Sequence, residues 1–421
     1  MDTSNQTFAS IITIGDELLI GQVIDTNSAF IAQELNKIGI AIKHRIAVAD
    51  SWEDIWQVLD SESQQSKIII ITGGLGPTAD DITKPLLCKY FDGKMIVHQE
   101  TLKQITHFFE NVLKRPMIER NTKQAEVPDV CSVLQNEVGT APGMMFEKNG
   151  VLFFALPGVP HEMKWLMYHH VIPILSKNNI SEFIEHRTLL TAGIGESFLA
   201  EKLVDFEEDL PTNIKLAYLP NYGMVRLRLT AIGNELEGLK QNINKHFFEL
   251  KNLVNEFLIT DEDDTLEVVV GKLLKSNNQT LSTAESCTGG YIAHLLSSVP
   301  GSSAYYEGSV VSYSYSAKEN LLNVNKNTLE KFGAVSEETV TAMVKGVLQR
   351  LNTDFAIAVS GIMGPTGGTD DKPVGTVWIA VASKDKIVCK QMKFRFDREK
   401  NIQLTASSAL LMLRELIVDK P

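Results

Sequence analysis

The chain has 421 residues, 44% hydrophobic and 22% charged, with four cysteines and a net charge of −12. That length exceeds one ordinary core and predicts two or three domains of globular composition. The acidic balance argues against a surface built to grip nucleic acid. No run approaches the ~20 apolar residues of a membrane helix, and cysteines far apart with no CxxC fit a reducing cytoplasm better than a disulfide framework. The first residues, Met1 to Gln6, lack the basic and apolar regions of a signal peptide.

In chain order, Phe8 to Ile14 reads as a strand and Asp25 to Ile38 as a helix with Ile31, Leu35 and Ile38 on one face and Gly39 as its stop. A strand at Ile40–Val48 follows, then the continuous apolar run Ile68–Ile71, expected in a parallel sheet buried on both faces. The strand Val151–Leu156 ends in Pro157-Gly158-Val159-Pro160 before a helix from His161. Strands separated by helices predict a doubly wound α/β domain over 1–175. Two constellations stand out there. Asp16 and Glu17 follow the first strand, and Thr72-Gly73-Gly74-Leu75-Gly76-Pro77-Thr78-Ala79-Asp80-Asp81 follows the buried one. A glycine turn after such a strand can cradle an anion through Gly73, Gly74, Gly76 and Thr78. Nearby carboxylates, Asp16 and Asp81, can hold a divalent ion against a diphosphate, or Asp80 and Asp81 can simply cap the next helix.

From 185 to 258 the pattern changes. Arg187–Thr191 reads as a strand, Phe198–Val204 as a helix, and Ile214–Leu219 with Met224–Ala231 as a hairpin around Pro220-Asn221-Tyr222-Gly223. A helix over about Leu236–Phe257 closes a small α+β unit with a KH-like layout. No GxxG lies in the expected turn, so a connector is expected rather than a nucleic-acid reader.

The acidic run Asp261 to Asp264 opens a third region, 262–421. It predicts a helix at 265–275, strands at 306–313, Phe355–Val359 and Val374–Ala382, a helix around Lys318–Asn323, and a final helix. Val340, Met343, Val344, Val347, Leu348 and Leu351 form a core stripe with Ser336 as its cap. Between strand and helix stands Thr283-Ala284-Glu285-Ser286-Cys287-Thr288-Gly289-Gly290, a hydroxyl beside a thiol where backbone N–H groups are unpaired. Ser286 needs a base. His294 lies two turns into the helix, and Lys318 serves only if burial or a neighbouring cation lowers its pKa. Cys287 is the intrinsically stronger nucleophile, or a small buried hydrophobe. The loop Ser360-Gly361-Ile362-Met363-Gly364-Pro365 can bring backbone N–H groups to a phosphate but lacks the Walker GK[ST]. Arg398 can clamp an anion or remain solvated.

Ala284-Glu285-Ser286-Cys287-Thr288-Gly289-Gly290, Tyr313, Lys318, Ser360-Gly361-Ile362-Met363-Gly364-Pro365 and Lys372-Pro373-Val374-Gly375-Thr376-Val377 together resemble the CinA C-terminal domain, over about 265–415. That family contains nicotinamide mononucleotide deamidases. The resemblance implies an α/β/α amidase domain needing no cofactor, with Ser286 as nucleophile, Lys318 as general base and Tyr313 as its helper. It also implies substrate contacts from Thr288, Gly289, Gly290, Ser360, Gly361, Gly364 and Arg398. Where family members commonly read Gly-Asp-Arg with a further arginine, this chain has Phe396-Asp397-Arg398-Glu399-Lys400-Asn401. The front, about 8–170, resembles the molybdopterin-binding fold of full-length CinA proteins, a three-layer domain. In those proteins it is associated with metal-dependent ADP-ribose pyrophosphatase activity, whereas molybdopterin relatives bind a pterin. The resemblance thus implies a homodimer acting on the small nucleotides nicotinamide mononucleotide and ADP-ribose, while the composition predicts a cytoplasmic location with neither nucleic acid nor membrane as partner. Molybdopterin-type cofactor chemistry by the front domain is the second reading, and a non-catalytic, nucleotide-binding, competence-associated protein is the third.

Overall fold

The computed structural model describes residues 7–78, 81–112, 114–177, 183–221 and 223–418, so Asp80 and Tyr222 lie outside the described residues. The chain divides into two compact units. One comprises 1–187, 207–216 and 229–249, the other 188–206, 217–228 and 250–421.

The first unit is built on a six-stranded sheet. From one edge its strands are Ala41–Val48, Phe8–Ile14, Ile68–Thr72, Val151–Leu156, Gly143–Lys148 and Ser132–Leu134. The first four run parallel, Gly143–Lys148 runs antiparallel to them, and Ser132–Leu134 pairs antiparallel with it at the edge. Every residue of Ile68–Thr72 is buried, because side chains of alternate residues feed opposite cores. Ile70 packs with Ile31 and Leu35 of the helix Thr26–Lys37 and with Met163 and Leu166. Ile69 and Ile71 pack with Ile55 and Leu59 of the helix Trp52–Ser63 and with Leu86 and Leu87. Three layers result. Asp25, predicted as the first helical residue, is instead the N-cap, its carboxylate accepting from Ser28 N–H.

A separate four-stranded sheet has the order Ile214–Asn221, Met224–Gly233, Phe183–Ala192, Leu258–Thr260. The helix expected over Phe198–Val204 begins at Glu196 and is interrupted at Leu203, where a second short helix, Val204–Glu208, starts. The long helix ends at Leu253, and the last residues assigned to it form a short 3-10 turn before the added strand.

The second unit's sheet has the order Tyr306–Val311, Leu281–Glu285, Phe355–Gly361, Thr376–Ser383, Ile387–Lys393. Its first three strands are parallel, Thr376–Ser383 runs antiparallel to them, and Ile387–Lys393 pairs antiparallel with that strand. One face is bulky. Ile357, Val359 and Ile379 pack on the helices Leu266–Ser276, Tyr291–Ser297 and Arg398–Val418. The other face is small, with Ala284, Ala356, Ala358, Ala380 and Ala382 lying under Val340, Met343, Val344 and Val347 of the helix Glu337–Leu351. Alanines let that helix sit close, and Ser336 caps it by accepting from Thr339 N–H. Each fully buried side chain of this stripe contributes roughly 1.5–3 kcal/mol.

The helix carrying Lys318 spans Tyr315–Leu322, starting earlier than predicted because the Ser314 hydroxyl accepts from Ala317 N–H. Lys318 therefore sits within the helix rather than at its start. The helix Lys326–Phe332 and the strand Ile387–Lys393 were not anticipated from the sequence.

Candidate active site

Parallel strands order the second unit's site. Glu285 ends one strand, and Ser286 N–H continues the ladder by donating to Val359 O at 3.1 Å. The neighbouring parallel strand ends at Val311, and Ser312 N–H donates to Glu285 O at 2.8 Å. The strand ends therefore bring together the Ser286 turn, the 312–314 loop leading into the Lys318 helix, and the Ser360–Gly364 loop, at the carboxyl edge where α/β sheets bind ligands.

Lys318 is fully buried, and its Nζ donates to Ser286 Oγ at 2.9 Å, to Ser312 O at 2.7 Å and to Tyr313 O at 3.2 Å. Burial lowers its pKa to about 8. About a tenth of the amine is then neutral at pH 7, against a negligible fraction for an ordinary lysine. Two carbonyl acceptors fix the amine, so its remaining direction faces Ser286. The rival thiol is disfavoured by its surroundings. Cys287 is packed into the core with Ile292 and Met363, and burial pushes its thiol up to about 12. His294 is exposed on the outer side of its helix.

The turn itself is shaped by glycine and by one carboxylate. Gly289 and Gly290 adopt φ of 62° and 103°, where a side chain is strained. Glu285, fully buried, accepts from Thr288 Oγ1 at 2.6 Å, Gly290 N–H at 3.0 Å, Ile292 N–H at 3.1 Å and Ala293 N–H at 2.8 Å. Gly289 N–H turns back to Ser286 O and Tyr291 N–H to Thr288 O. Among the described residues, Cys287 and Thr288 are left as the N–H groups of this turn with no carbonyl or carboxylate acceptor. The helix start therefore offers no free N–H of its own. Those two groups are the donors the turn leaves available to an oxyanion.

The Tyr313 hydroxyl is engaged by Arg398, and it is the backbone of Tyr313 that bonds the amine. Its carbonyl meets Lys318, whereas its exposed hydroxyl accepts from Arg398 Nη2 at 3.4 Å. Arg398 opens the last helix, and its Nη1 donates to Gly364 O at 2.9 Å. Ser360 is turned inward, donating to Ala334 O at 2.7 Å. Gly361 is required by close approach, since a Cβ there would lie 2.7 Å from Val377 Cγ2. Sequence reading missed Asn401. Fully buried, it donates to Met363 O and Phe396 O and accepts from Phe396 N–H, fastening the Arg398 segment to the glycine loop. Only its place three residues into a helix after Arg398 could have drawn attention to it.

The first unit holds a second cavity, of about 150 Å³, lined by Thr13, Asp25, Asn27, Thr72, Gly73 and Gly158 among others. Gly73 has φ 113°, and a Cβ on it would overlap the Ile14 carbonyl. Asn27 donates to Gly158 O at 2.7 Å while its Oδ1 has no partner among the described residues. Gly74 packs against Thr83. Gly76 and Thr78 are folded onto Asp81 instead of facing a ligand. Asp81 accepts from Gly76 N–H at 2.8 Å, from Thr78 N–H at 2.9 Å and from the Thr78 hydroxyl. Asp16 exchanges backbone-to-carboxylate hydrogen bonds with Asp50, both 3.3 Å. Among the described residues no group of three or more His, Cys, Asp or Glu could hold a metal. Asp81 does not fit as a metal ligand, because both its oxygens are committed to the loop, and Asp16 alone makes no site.

Three family models match. Residues 263–417 fit the CinA C-terminal domain, 10–177 the probable molybdopterin binding domain and 186–259 the damage-inducible protein CinA KH domain. A CinA-like protein of Flavobacterium psychrophilum is 46% identical over 411 residues, covering 97% of this chain and 98% of that one. One of Cytophaga hutchinsonii is 46% identical over 407 residues, covering 97% of each. A solved structure, the competence/damage inducible protein CihA from Agrobacterium tumefaciens, is 38% identical, covers 36% of this chain and 93% of that one, and has a TM-score of 0.36. No helix among the described residues is long and apolar enough to cross a membrane.

Proposed function

The chain belongs to the CinA family, and on that premise we propose that its second unit hydrolyses the carboxamide of nicotinamide mononucleotide to nicotinate mononucleotide and ammonia. The observation that carries this reading is the buried Lys318 amine 2.9 Å from Ser286 Oγ. Neutral Lys318 takes the Ser286 proton as Oγ attacks the amide carbon. Cys287 and Thr288 N–H receive the carbonyl oxygen as it becomes an alkoxide. Lys318 then protonates the departing nitrogen, the C–N bond breaks, and ammonia leaves an acyl-serine. A water molecule, deprotonated by the same amine, attacks that ester and frees Ser286. Arg398, beside the glycine loop, supplies the cation for the nucleotide phosphate, and Tyr313 packs with Arg398 at the rim. Ammonia release tests this. Wild type should produce it, Ser286→Ala and Lys318→Ala should lose it by about a thousandfold or more, and Cys287→Ala should keep it. Activity that survives in Ser286→Ala and disappears in Cys287→Ala would reassign the nucleophile.

A second reading concerns the first unit. The cavity beside Gly73 and the unpartnered Asn27 Oδ1 suit a polar nucleotide group, so ADP-ribose cleavage to AMP is proposed for it. A divalent ion belongs to that expectation. The residues singled out for it, Asp16 and Asp81, are already engaged by backbone N–H groups. AMP release from ADP-ribose with and without a chelator is the measurement.

A further inference from the structure

We propose that Glu285 is a positioning residue that sorts the N–H groups of the nucleophile turn, tying down those of Gly290, Ile292 and Ala293 so that, among the described residues of the turn, those of Cys287 and Thr288 remain for the oxyanion. This rests on the reading of Ser286 as nucleophile.

The count of donors carries the argument. Eight consecutive N–H groups, Ser286 to Ala293, follow the strand. Ser286, Gly289 and Tyr291 are satisfied by Val359 O, Ser286 O and Thr288 O. Gly290, Ile292 and Ala293 donate instead to the two Glu285 oxygens at 3.0, 3.1 and 2.8 Å. Without that carboxylate three buried or half-buried donors would lack partners. The turn would relax by pulling other groups toward carbonyls, and the Cys287 and Thr288 N–H groups, next along the chain from Ser286, would be the available ones to move. The hydroxyl of Thr288 binds the same carboxylate at 2.6 Å, which fixes the residue whose N–H is one of the pair. Glu285 is fully buried and reaches no solvent, and it makes no hydrogen bond to Ser286 Oγ or Lys318 Nζ, so its effect passes through the backbone.

An isosteric change exposes the role. In Glu285→Gln one carboxylate oxygen becomes an NH₂ group, which cannot accept, so at least one of the three N–H groups loses its acceptor. Thr288→Val keeps the carboxylate and all backbone N–H groups and removes only the hydroxyl bond. The first readout is the rate at which a fluorophosphonate labels Ser286, followed by mass spectrometry. There the Oγ–P bond forms, the P–F bond breaks, the serine proton passes to Lys318 and fluoride leaves. The second is the steady-state kinetics of ammonia release from nicotinamide mononucleotide.

We expect labelling and kcat to fall about 100-fold in Glu285→Gln, the loss seen when one oxyanion donor is removed. KM should stay within about threefold of wild type, and the pH midpoint set by Lys318 should not move. Thr288→Val should fall in the same sense by about tenfold or less. A change that acted only on folding would leave kcat per folded molecule intact. Labelling and kcat of Glu285→Gln at wild-type values overturn the proposal. Should Glu285→Gln not give folded protein, Thr288→Val decides alone, and wild-type labelling in it overturns the proposal equally. Wild type labelled at Ser286 but releasing no ammonia would refute the amidase reading while leaving Glu285 testable by labelling. Wild type not labelled at Ser286 would overturn the positioning role too.

Discussion

Lys318 is where a residue's surroundings become a reaction condition. Only its neutral form can accept the serine proton, and burial places the transition near pH 8. The amidase rate should therefore climb with pH below about 8, reach half its limit there and level off above it. A profile of kcat/KM against pH checks this. Lys318→Arg, which stays charged throughout, should be inactive across the whole range. How far such details could be read in the sequence depends on what each residue contributes. Ser286 and Lys318 carry distinctive chemistry within motifs, so both could be singled out. Tyr313 was also singled out, yet the atom that meets the amine is its carbonyl, and a motif does not say which atom of a residue acts. Glu285 stood within the same eight residues without a role, because its work is to accept backbone N–H groups from residues that follow it. Nothing in composition or spacing announces that.

Among elements, the packing of helix on helix positions the base. Gly346 lies on the helix Glu337–Leu351, and a Cβ there would overlap the Leu322 carbonyl oxygen at the end of the helix that carries Lys318. Gly346→Ala offers better helix propensity by about 1 kcal/mol, but the clash is with backbone and cannot be relieved by a rotamer. The expected outcome is net destabilisation of about 1–3 kcal/mol, with a fall in amidase kcat as the Lys318 helix is displaced. Thermal unfolding and steady-state kinetics measure both. In the first unit Lys84 plays a fastening part. Its buried Nζ donates to Gln124 O at 3.1 Å and Glu126 O at 3.3 Å, and burial lowers its pKa to about 8. Lys84→Met fills the space but leaves those carbonyls bare, so a loss of about 1–3 kcal/mol is expected in denaturant unfolding. Elements buried on two faces were the legible ones. Phe8–Ile14 and Val151–Leu156 fall where their apolar runs place them. Ile387–Lys393 was missed because an edge strand can carry lysines and needs no clean alternation. Leu258–Thr260, three partly buried residues just past the helix expected over about Leu236–Phe257, is too short to show an alternation.

At the scale of the whole molecule, each unit has its own core and its own candidate site. The first packs around Ile69, Ile71 and Phe153 on one face of its sheet and Ile70 and Phe154 on the other, and the second around Ile357, Val359 and Ile379. Neither site borrows a residue from the other's motif. Ser286→Ala should accordingly leave AMP release from ADP-ribose unchanged, and Asn27→Ala should reduce AMP release without touching ammonia release. Asp81→Asn separates two meanings of one residue. As a metal ligand it would shift the divalent-ion concentration for half-maximal ADP-ribose cleavage by tenfold or more. As the clasp its hydrogen bonds describe, it holds Gly76 and Thr78, and the amide that replaces it would point a donor at one of their N–H groups. The clasp predicts a raised KM for ADP-ribose and a lower unfolding midpoint, with the metal titration unmoved. A magnesium titration at saturating ADP-ribose, run on both forms, distinguishes the two outcomes. Full activity in excess chelator would remove the metal from the first unit's chemistry and leave the Gly73 cavity to act through its own hydrogen-bonding groups.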